Sequence, residues 1–385
     1  MVFTLEALEA KHGDALLLHY GEVGSPRLIV IDGGPRGVYK NVLKKRLDKI
    51  KQKRTPNERL PIRMVLVSHI DEDHISGILD LSQDLVDAQE DNQDLPYDIQ
   101  GLWHNSFDDI LGNQPEELFA TLKTAAASAA ATGTMPTDLY LSFHGALMVA
   151  SVPQGRDLRN NANALNLAVN APFNGLVMAP KQGEKTVPLG GGLSFTILSP
   201  NQQRLEDLQE EWDKQLPKIK KAKPAEAQSI TAAFVDDSVY NLSSIILLAT
   251  AGNRRMLLTG DARGDDIIAG LKTAGLFQGD RFHADLFKVP HHGSDRNIST
   301  EFFRQVTANH YVISGDGKYG NPEIATLKML TEARGQDKYT IYFTNQEARL
   351  VEFFNNEPAP GKNYQVVFRQ DSSSSIPINL EEAID

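Results

Sequence analysis

The stretch SHIDEDHISG, which runs from Ser68 to Gly77, brings four potential metal ligands together within six residues. It follows Arg63 to Val67, an apolar run typical of a strand buried on both faces of a sheet. A segment at this position lies at the carboxyl edge of the sheet, where α/β proteins place their binding sites. In an extended segment alternate residues project to one side, and we predict that His74 is the first residue of the next helix. The four ligands are His69, Asp71, Asp73 and His74.

The chemistry of these side chains predicts a metal site. Imidazole and carboxylate groups together suit Zn, Mn or Fe, and a set this rich can supply two ions. The 385 residues include no cysteine, so any metal site must be built from His, Asp and Glu. The alternative interpretation is a polar loop after a strand, with histidines at its ends. We favour the metal site because solvation gives no reason for four ligands in this order.

Three other predicted strands end in side chains of the same kinds. An aspartate beside glycine at a strand end is more often a turn former, so each signal is weak by itself. Because the carboxyl ends of parallel strands meet at one edge, these residues and the segment 68–77 together predict a single site. The residues that follow the three strands are Asp32, Asp261 and the pair His291 and His292.

Composition places the chain among acidic globular proteins. Its 39 Lys and Arg residues against 50 Asp and Glu residues give a net charge of −11, and 41% of the residues are hydrophobic. This composition excludes a disordered chain, and the acidic balance argues against a protein that coats nucleic acid. The absence of cysteine excludes a disulfide framework, thiolate-bound iron-sulfur clusters and a cysteine nucleophile.

The pattern of apolar runs predicts an α/β fold in a single domain over residues 1–385. Short strands alternate with amphipathic helices in the first part of the chain and again after Ser243. Between these parts, residues 80–192 show little periodicity and predict a long insertion or elaboration. Residues 216–228 are basic and bounded by prolines, which predicts a mobile surface loop. Predicted strands near Thr340 to Thr344 and Leu350 to Phe354 close the fold, before a polar tail over residues 370–385.

The sequence predicts a cytoplasmic protein without a membrane span. Glu6, Glu9 and Lys11 lie where a secretory signal needs an uninterrupted apolar core. The longest apolar runs, such as Ile245 to Ala251, are far shorter than the roughly 20 residues of a membrane-spanning helix. The oligomeric state is left open by the sequence.

The order of the motifs resembles the metallo-β-lactamase fold superfamily. The blocks are IDGG, SHIDEDHISG, NLSSIILL followed by LLTGDA, and FKVPHHGS, and they lie between about His12 and Pro322. The likeness is closest to hydrolases related to the C-terminal domain of the bacterial DNA-uptake channel ComEC, whose first strand pair is similar to HGDALLL, His12 to Leu18. The resemblance implies a four-layer αββα sandwich, and it leaves the middle region uncovered.

Carried over residue by residue, the resemblance implies two metal ions. His69 and Asp71 would bind the first ion, with Asp71 standing where many members have a second histidine. Asp73 and His74 would bind the second ion. Asp261 would bridge the two ions.

Further positions complete the implied site. His291 or His292 would supply the remaining ligand, and His104 is an additional candidate. Asp32 would orient a ligand or its loop from outside the metal shell. Relatives often have a histidine where this chain has Asn321, which leaves open whether both sites fill equally, since an amide oxygen is a weaker ligand.

The resemblance implies a hydrolase with two divalent ions, Zn above all, with Mn or Fe as alternatives. In such a centre a metal-activated water attacks the substrate, and the catalytic residues would be Asp73, His291 and His292. We favour a phosphoester or phosphodiester substrate, either a small molecule or a nucleic acid, because the ComEC-like branch acts largely on nucleic acids. A thioester or lactone hydrolase is one alternative. A non-catalytic binding or scaffold protein with the same fold is another.

Overall fold

The structure is a computed structural model that describes residues 1–105, 154–207, 244–296, 298–356 and 363–384, together with positions 210, 214 and 218. Nearly all of the loop predicted over residues 216–228 lies outside the described residues. Within the described residues the chain has a mixed α/β fold, as predicted. None of the helices described has both the length and the apolar character that crossing a membrane requires.

Two large sheets form the framework. The first has the strand order β16-β1-β2-β3-β5-β7, and its strands β3, β5 and β7 run parallel. These strands are β1 (Val2–Leu8), β2 (Leu16–Glu22), β3 (Ser25–Ile31), β5 (Met64–Leu66), β7 (Leu102–Trp103) and β16 (Ser375–Asn379). A separate parallel pair is formed by β4 (Leu60–Ile62) and β6 (Tyr97–Ile99).

The second sheet contains eight strands in the order β15-β14-β13-β12-β11-β10-β9-β8. Neighbours from β11 to β15 are parallel, whereas β8 to β11 are antiparallel neighbours, and β10 and β11 form a hairpin. The strands are β8 (Lys185–Gly190), β9 (Leu193–Ser199), β10 (Ile246–Ala251), β11 (Arg254–Leu258), β12 (Phe282–Lys288), β13 (Val306–Ile313), β14 (Lys338–Phe343) and β15 (Asn363–Phe368).

Helices connect the strands. A π-helical turn over Tyr39–Leu43 leads into the first α-helix, and helical residues 154–164 and 202–207 flank β8 and β9. The remaining helices are α1 (Lys44–Arg54), α2 (Glu72–Glu90), α3 (Gly264–Thr273), α4 (Thr300–Gln305), α5 (Ile324–Arg334) and α6 (Ala348–Asn356).

Alternate side chains of one strand enter different hydrophobic cores. In β3, Ile29 and Ile31 pack in a core shared by both sheets, whereas Leu28 and Val30 pack with α1 and α2. In β10, Leu247 lies in the shared core and Ile246 packs with the helices of the second sheet. Burial of each such side chain stabilises the fold by roughly 1.5–3 kcal/mol. Both sheets are therefore covered on both faces, which explains their nearly continuous apolar runs.

The strand predicted at Leu350 to Phe354 is wrong. This segment lies in α6, and the buried side chains are Leu350 and Phe353. Their spacing of three residues fits one face of a helix, and a short apolar run does not distinguish the two structures by itself. The last strand of the second sheet is β15, which follows later in the chain.

The polar tail predicted over residues 370–385 is corrected by a strand. β16 pairs antiparallel with β1, and its Ile376 and Ile378 are buried in the core between the sheets. The hydroxyl of Ser375 donates a hydrogen bond to the buried carboxylate of Glu6 on β1. The alternating apolar residues of SIPIN are the pattern of a half-buried strand, although the segment is polar on average.

Both ends of the region predicted as an insertion, residues 80–192, belong to the framework. α2 extends to Glu90, β7 pairs with β5 of the first sheet, and β8 pairs with β9 of the second. Residues 106–153, in the middle of this region, lie outside the described residues. β7 has only two residues, which is too short to show periodicity.

Gly77 of α2 packs backbone to backbone against Gly33, which follows β3. A Cβ atom on Gly77 would lie 1.9 Å from the carbonyl oxygen of Gly33. We expect Gly77→Ala to lower the free energy of unfolding by about 3 kcal/mol, because the two backbones must separate. Denaturant unfolding measures the change, and Gly24→Ala is the control because nothing lies within 4 Å of its added Cβ. Equal losses in the two variants would contradict this account of the contact.

Candidate metal centre

The strand ends of both sheets meet at one edge of the molecule. Asp32 follows β3, His69 comes shortly after β5, and Asp261 comes shortly after β11. His291 and His292 follow β12 in a short 3₁₀ turn over Pro290–Gly293. The edge therefore receives potential ligands from strands that are far apart in sequence, as predicted.

The carboxylate of Asp261 lies among four imidazole rings. Its Oδ1 is 3.3 Å from Nε2 of His74, and its Oδ2 is 3.5 Å from Nε2 of His292. The same Oδ2 lies 3.8 Å from Nε2 of His69 and 3.9 Å from Nε2 of His291. Asp261 is only 4% exposed, so these contacts take place away from bulk water.

The other side chains form two groups that share Asp261. In the first, Nε2 of His292 lies 3.3 Å from Oδ2 of Asp73 and 3.3 Å from Nε2 of His74. In the second, Nε2 of His69 lies 3.5 Å from Oδ2 of Asp71. From these closest contacts we define the His74 group (Asp73, His74, His292 and Asp261) and the His69 group (His69, Asp71 and Asp261). The two groups overlap in space, because the ligand atoms that converge are those of Asp14, His74, Asp261 and His292 and those of His69, Asp73 and His74.

The two histidines that were alternatives in the sequence both direct Nε2 at the same oxygen, Oδ2 of Asp261. Both adopt left-handed backbone conformations, with φ of 48° for His291 and 51° for His292. Such angles are costly for residues other than glycine and are found at functional sites more often than elsewhere. The amide of His291 also donates to the carbonyl of Gly260, which ties the histidine pair to the loop of Asp261.

Asp32 fixes the orientation of the histidines from behind. Its carboxylate accepts hydrogen bonds from the amide and hydroxyl of Ser68, at 2.7 and 2.6 Å, and from Nδ1 of His74 at 2.9 Å. Because the Ser68 hydroxyl donates to Asp32, its oxygen accepts from Nδ1 of His69, 3.2 Å away. Nε2 of both His69 and His74 is thereby left as the atom with a lone pair directed at the site.

Asp14 is a site residue that the sequence analysis missed. It is 1% exposed, and its Oδ2 accepts from Nζ of the equally buried Lys288 at 2.8 Å. The hydroxyl of Ser314 donates to Oδ1 of Asp14, so the Ser314 oxygen accepts from Nδ1 of His292, 3.3 Å away. His292 is thus held with its Nε2 lone pair toward the site. Asp14 lies in the block HGDALLL, where the resemblance marked a strand pair but no site residue.

The resulting arrangement fits a cation. Nε2 of His74 and Nε2 of His292 lie 3.3 Å apart beside the carboxylates of Asp73 and Asp261, so imidazole nitrogens and carboxylate oxygens converge where a cation can bind. Among the described residues, Oδ1 of Asp71 and Oδ1 of Asp261 are buried without a hydrogen-bond donor. Buried carboxylate oxygens without a donor are costly unless they bind a cation.

The pKa shifts agree with this electrostatic character. Burial alone would raise the pKa of Asp261, but positive charge on His292 and His74 holds it well below its usual value. Burial alone would lower the pKa of His74, but the carboxylates of Asp261 and Asp32 raise it well above its usual value. Burial raises the pKa of Asp71, which lies beside other carboxylates. The cluster therefore stabilises positive charge.

The predicted extended loop for residues 69–73 is corrected in part. Asp71 is the N-cap of α2, whose first residue is Glu72, so Asp73 lies in the first helical turn and His74 does not open the helix. Negative side chains in a first turn are stabilised by the helix dipole, which favours this early start. The first turn of the helix places His74 next to Asp261 and Asp73 next to His292.

Two further positions from the sequence analysis are His104 and Asn321. His104 is buried just after β7, and its amide donates to Oδ1 of Asn170 at 2.9 Å. The converging ligand groups found within the described residues do not include His104. The side-chain amide of Asn321 donates to the carbonyl of His291 at 3.4 Å, so Asn321 supports the backbone of the histidine pair.

Comparison with known proteins adds no family. No protein-family model matches the sequence, and no curated protein matches it.

Proposed function

We propose that this chain is a metal-dependent hydrolase with two divalent ions, Zn above all, with Mn or Fe as alternatives. The observation that carries the proposal is the position of Asp261, whose carboxylate oxygens lie 3.3 to 3.9 Å from Nε2 of four histidines. The His74 group would hold one ion and the His69 group the other. Asp261 would bridge them.

The residues of the site would divide the work of hydrolysis. When bound, the two ions supply a water of lowered pKa and neutralise negative charge that develops on the substrate. Asp32 and Asp14 keep the ligand histidines in the required tautomers and orientations. His291, whose side chain is 33% exposed, is the member of the pair that can reach a substrate oxygen. His292 and Asp73, 3.3 Å apart, would bind the ion and position the water.

We propose a phosphoester substrate, and in particular a phosphodiester of a small molecule or a nucleic acid. A site rich in carboxylates needs bound cations before it can attract an anionic substrate, so the metal would provide the attraction that the acidic chain lacks. The preference over thioesters and lactones rests on the resemblance to the ComEC-like branch. The cytoplasmic location also stays a prediction.

We further propose the four-layer αββα sandwich of the metallo-β-lactamase superfamily. Its support is the arrangement of three hydrophobic cores, one between the sheets and one between each sheet and its helices. The motif order along the chain supports the same family.

Metal analysis and substrate profiling test the function together. We expect about two equivalents of Zn or Mn in the purified protein and metal-dependent hydrolysis of a chromogenic phosphodiester. Parallel assays use a thioester and a lactone. Hydrolysis of the acyl substrates alone would overturn the substrate class, and a protein that neither binds metal nor hydrolyses any of them would be a scaffold.

Asp32→Asn tests the positioning of His74. An amide in place of the carboxylate would present a donor to Nδ1 of His74, so we expect metal affinity to fall by about 10–100-fold. Competition with a chromogenic chelator measures it. Asp285→Asn is the matched control, since Asp285 also accepts from a backbone amide, that of Arg255, at 2.8 Å. Unchanged affinity in Asp32→Asn would show that Asp32 does not position the ligand.

A further inference from the structure

A cavity lies at the edge of the first sheet that is opposite the candidate metal centre. It has a volume of about 610 Å³ and opens between the beginning of β3, the end of α1 and the beginning of β5. The metal centre follows the carboxyl ends of β3 and β5, whereas this cavity adjoins their amino ends. A strand of seven residues such as β3 separates the two by roughly 20 Å. The volume is within the roughly 300–1,000 Å³ of small-molecule pockets.

The charged side chains around this cavity are all positive. Arg27, Lys53, Arg54 and Arg63 line it, and none of its lining residues is acidic. Among the residues that the structure describes, Arg27, Lys53 and Arg63 form no ion pair with a carboxylate. In a chain with a net charge of −11, three cations in one concave surface that form no ion pair with a described carboxylate, Arg27, Lys53 and Arg63, need a separate explanation.

Two of the guanidinium groups are held by one carbonyl. Nε of Arg63 and Nη1 of Arg27 both donate to the carbonyl of Leu189 on β8, at 3.3 and 3.5 Å. Each guanidinium has five N–H donors, and this contact uses one of them. Arg27 also packs against Gly190, where an added Cβ would lie 2.5 Å from Nη1. The side chains are thus oriented in advance, and donors are left for a ligand.

The rest of the lining is largely apolar. Leu28 and Leu60 lie at the buried end, and Val23, which is 52% exposed, lies at the solvent side together with Pro26 and Pro61. Such a wall suits the uncharged part of an organic molecule, while planar guanidinium groups match the geometry of phosphate oxygens. We propose that this cavity binds a small organic phosphate of nucleotide size, separately from the metal centre.

The test is calorimetric titration of the full metal-loaded protein with adenosine 5′-monophosphate, and with inorganic phosphate and adenosine as matched probes. We expect saturable binding of the nucleotide, weaker binding of phosphate and no binding of adenosine. Affinity falls as salt is raised, because the contact is ionic. Arg27→Gln and Arg63→Gln should each weaken nucleotide binding by about 10-fold or more, the loss expected for one charge-assisted hydrogen bond.

Controls separate this cavity from the metal centre and from misfolding. Lys53→Gln alters an exposed side chain, and it should weaken binding several-fold without unfolding the protein. Arg281→Gln removes an arginine outside the cavity that is 66% exposed, and it should leave binding unchanged. Binding that is equally strong in all the cavity variants, or no saturable binding of either phosphate probe at millimolar concentration, would overturn the proposal.

Discussion

Asp261→Ala is expected to abolish binding of both metal ions and to lower hydrolysis by roughly 10³-fold or more. Asp261 is the only side chain shared by the His74 and His69 groups as defined above, and its two oxygens approach four imidazole nitrogens. Removing it leaves each group without its common anion. The remaining histidines would then face one another with less negative charge to hold a cation between them.

Metal content by elemental analysis and turnover of a phosphodiester measure the two effects. Asp280→Ala is the control, because Asp280 is 91% exposed and precedes β12, whereas the candidate metal centre follows that strand. Circular dichroism establishes whether the variant still folds. A folded Asp261→Ala protein that retains two equivalents of metal would contradict the bridging role, and one that retains hydrolysis would contradict the proposed function.

Strand-end reasoning located most of the site because parallel strands bring their carboxyl ends to one edge. It found Asp32, Asp261 and the histidine pair from sequence positions that are far apart, and the structure brings them together. It missed Asp14 because this residue precedes a strand. Because β2 runs antiparallel to β3, the amino end of β2 lies at the same edge as the carboxyl end of β3. No local sequence pattern predicts this pairing.

The fold was predictable where strands are long and apolar and was missed where pairing depends on distant partners. The predicted strand that ends before Asp32 corresponds to β3. The strand β16 was missed because its stability comes from pairing with β1, which lies more than 360 residues earlier in the chain. The hydrogen bond from the Thr4 hydroxyl to the side chain of Asn379 is one contact of this pair. Strands as short as β7 show no periodic signal in the sequence, and pairing with β5 stabilises this strand.

The second large expected effect concerns the metal content of variants at Asp71 and Asp73. Asp71 and Asp73 are two residues apart, yet Asp71 is the N-cap of α2 and lies 3.5 Å from His69, whereas Asp73 is in the first helical turn and lies 3.3 Å from His292. The start of the helix between them therefore gives the two carboxylates different closest histidines. A substitution at either position should therefore affect one ion more than the other.

We expect Asp71→Asn and Asp73→Asn each to lower the metal content from about two equivalents to about one, and to reduce hydrolysis by roughly 10²–10³-fold. An amide keeps the shape of the carboxylate but removes its charge, so the loss reports on the charge. The two variants serve as controls for each other, because the substitution is the same and the positions are neighbours. Elemental analysis at equal free metal measures the stoichiometry. Loss of both ions in either variant, or retention of two equivalents in either variant, would contradict the proposal that the two carboxylates serve separate ions.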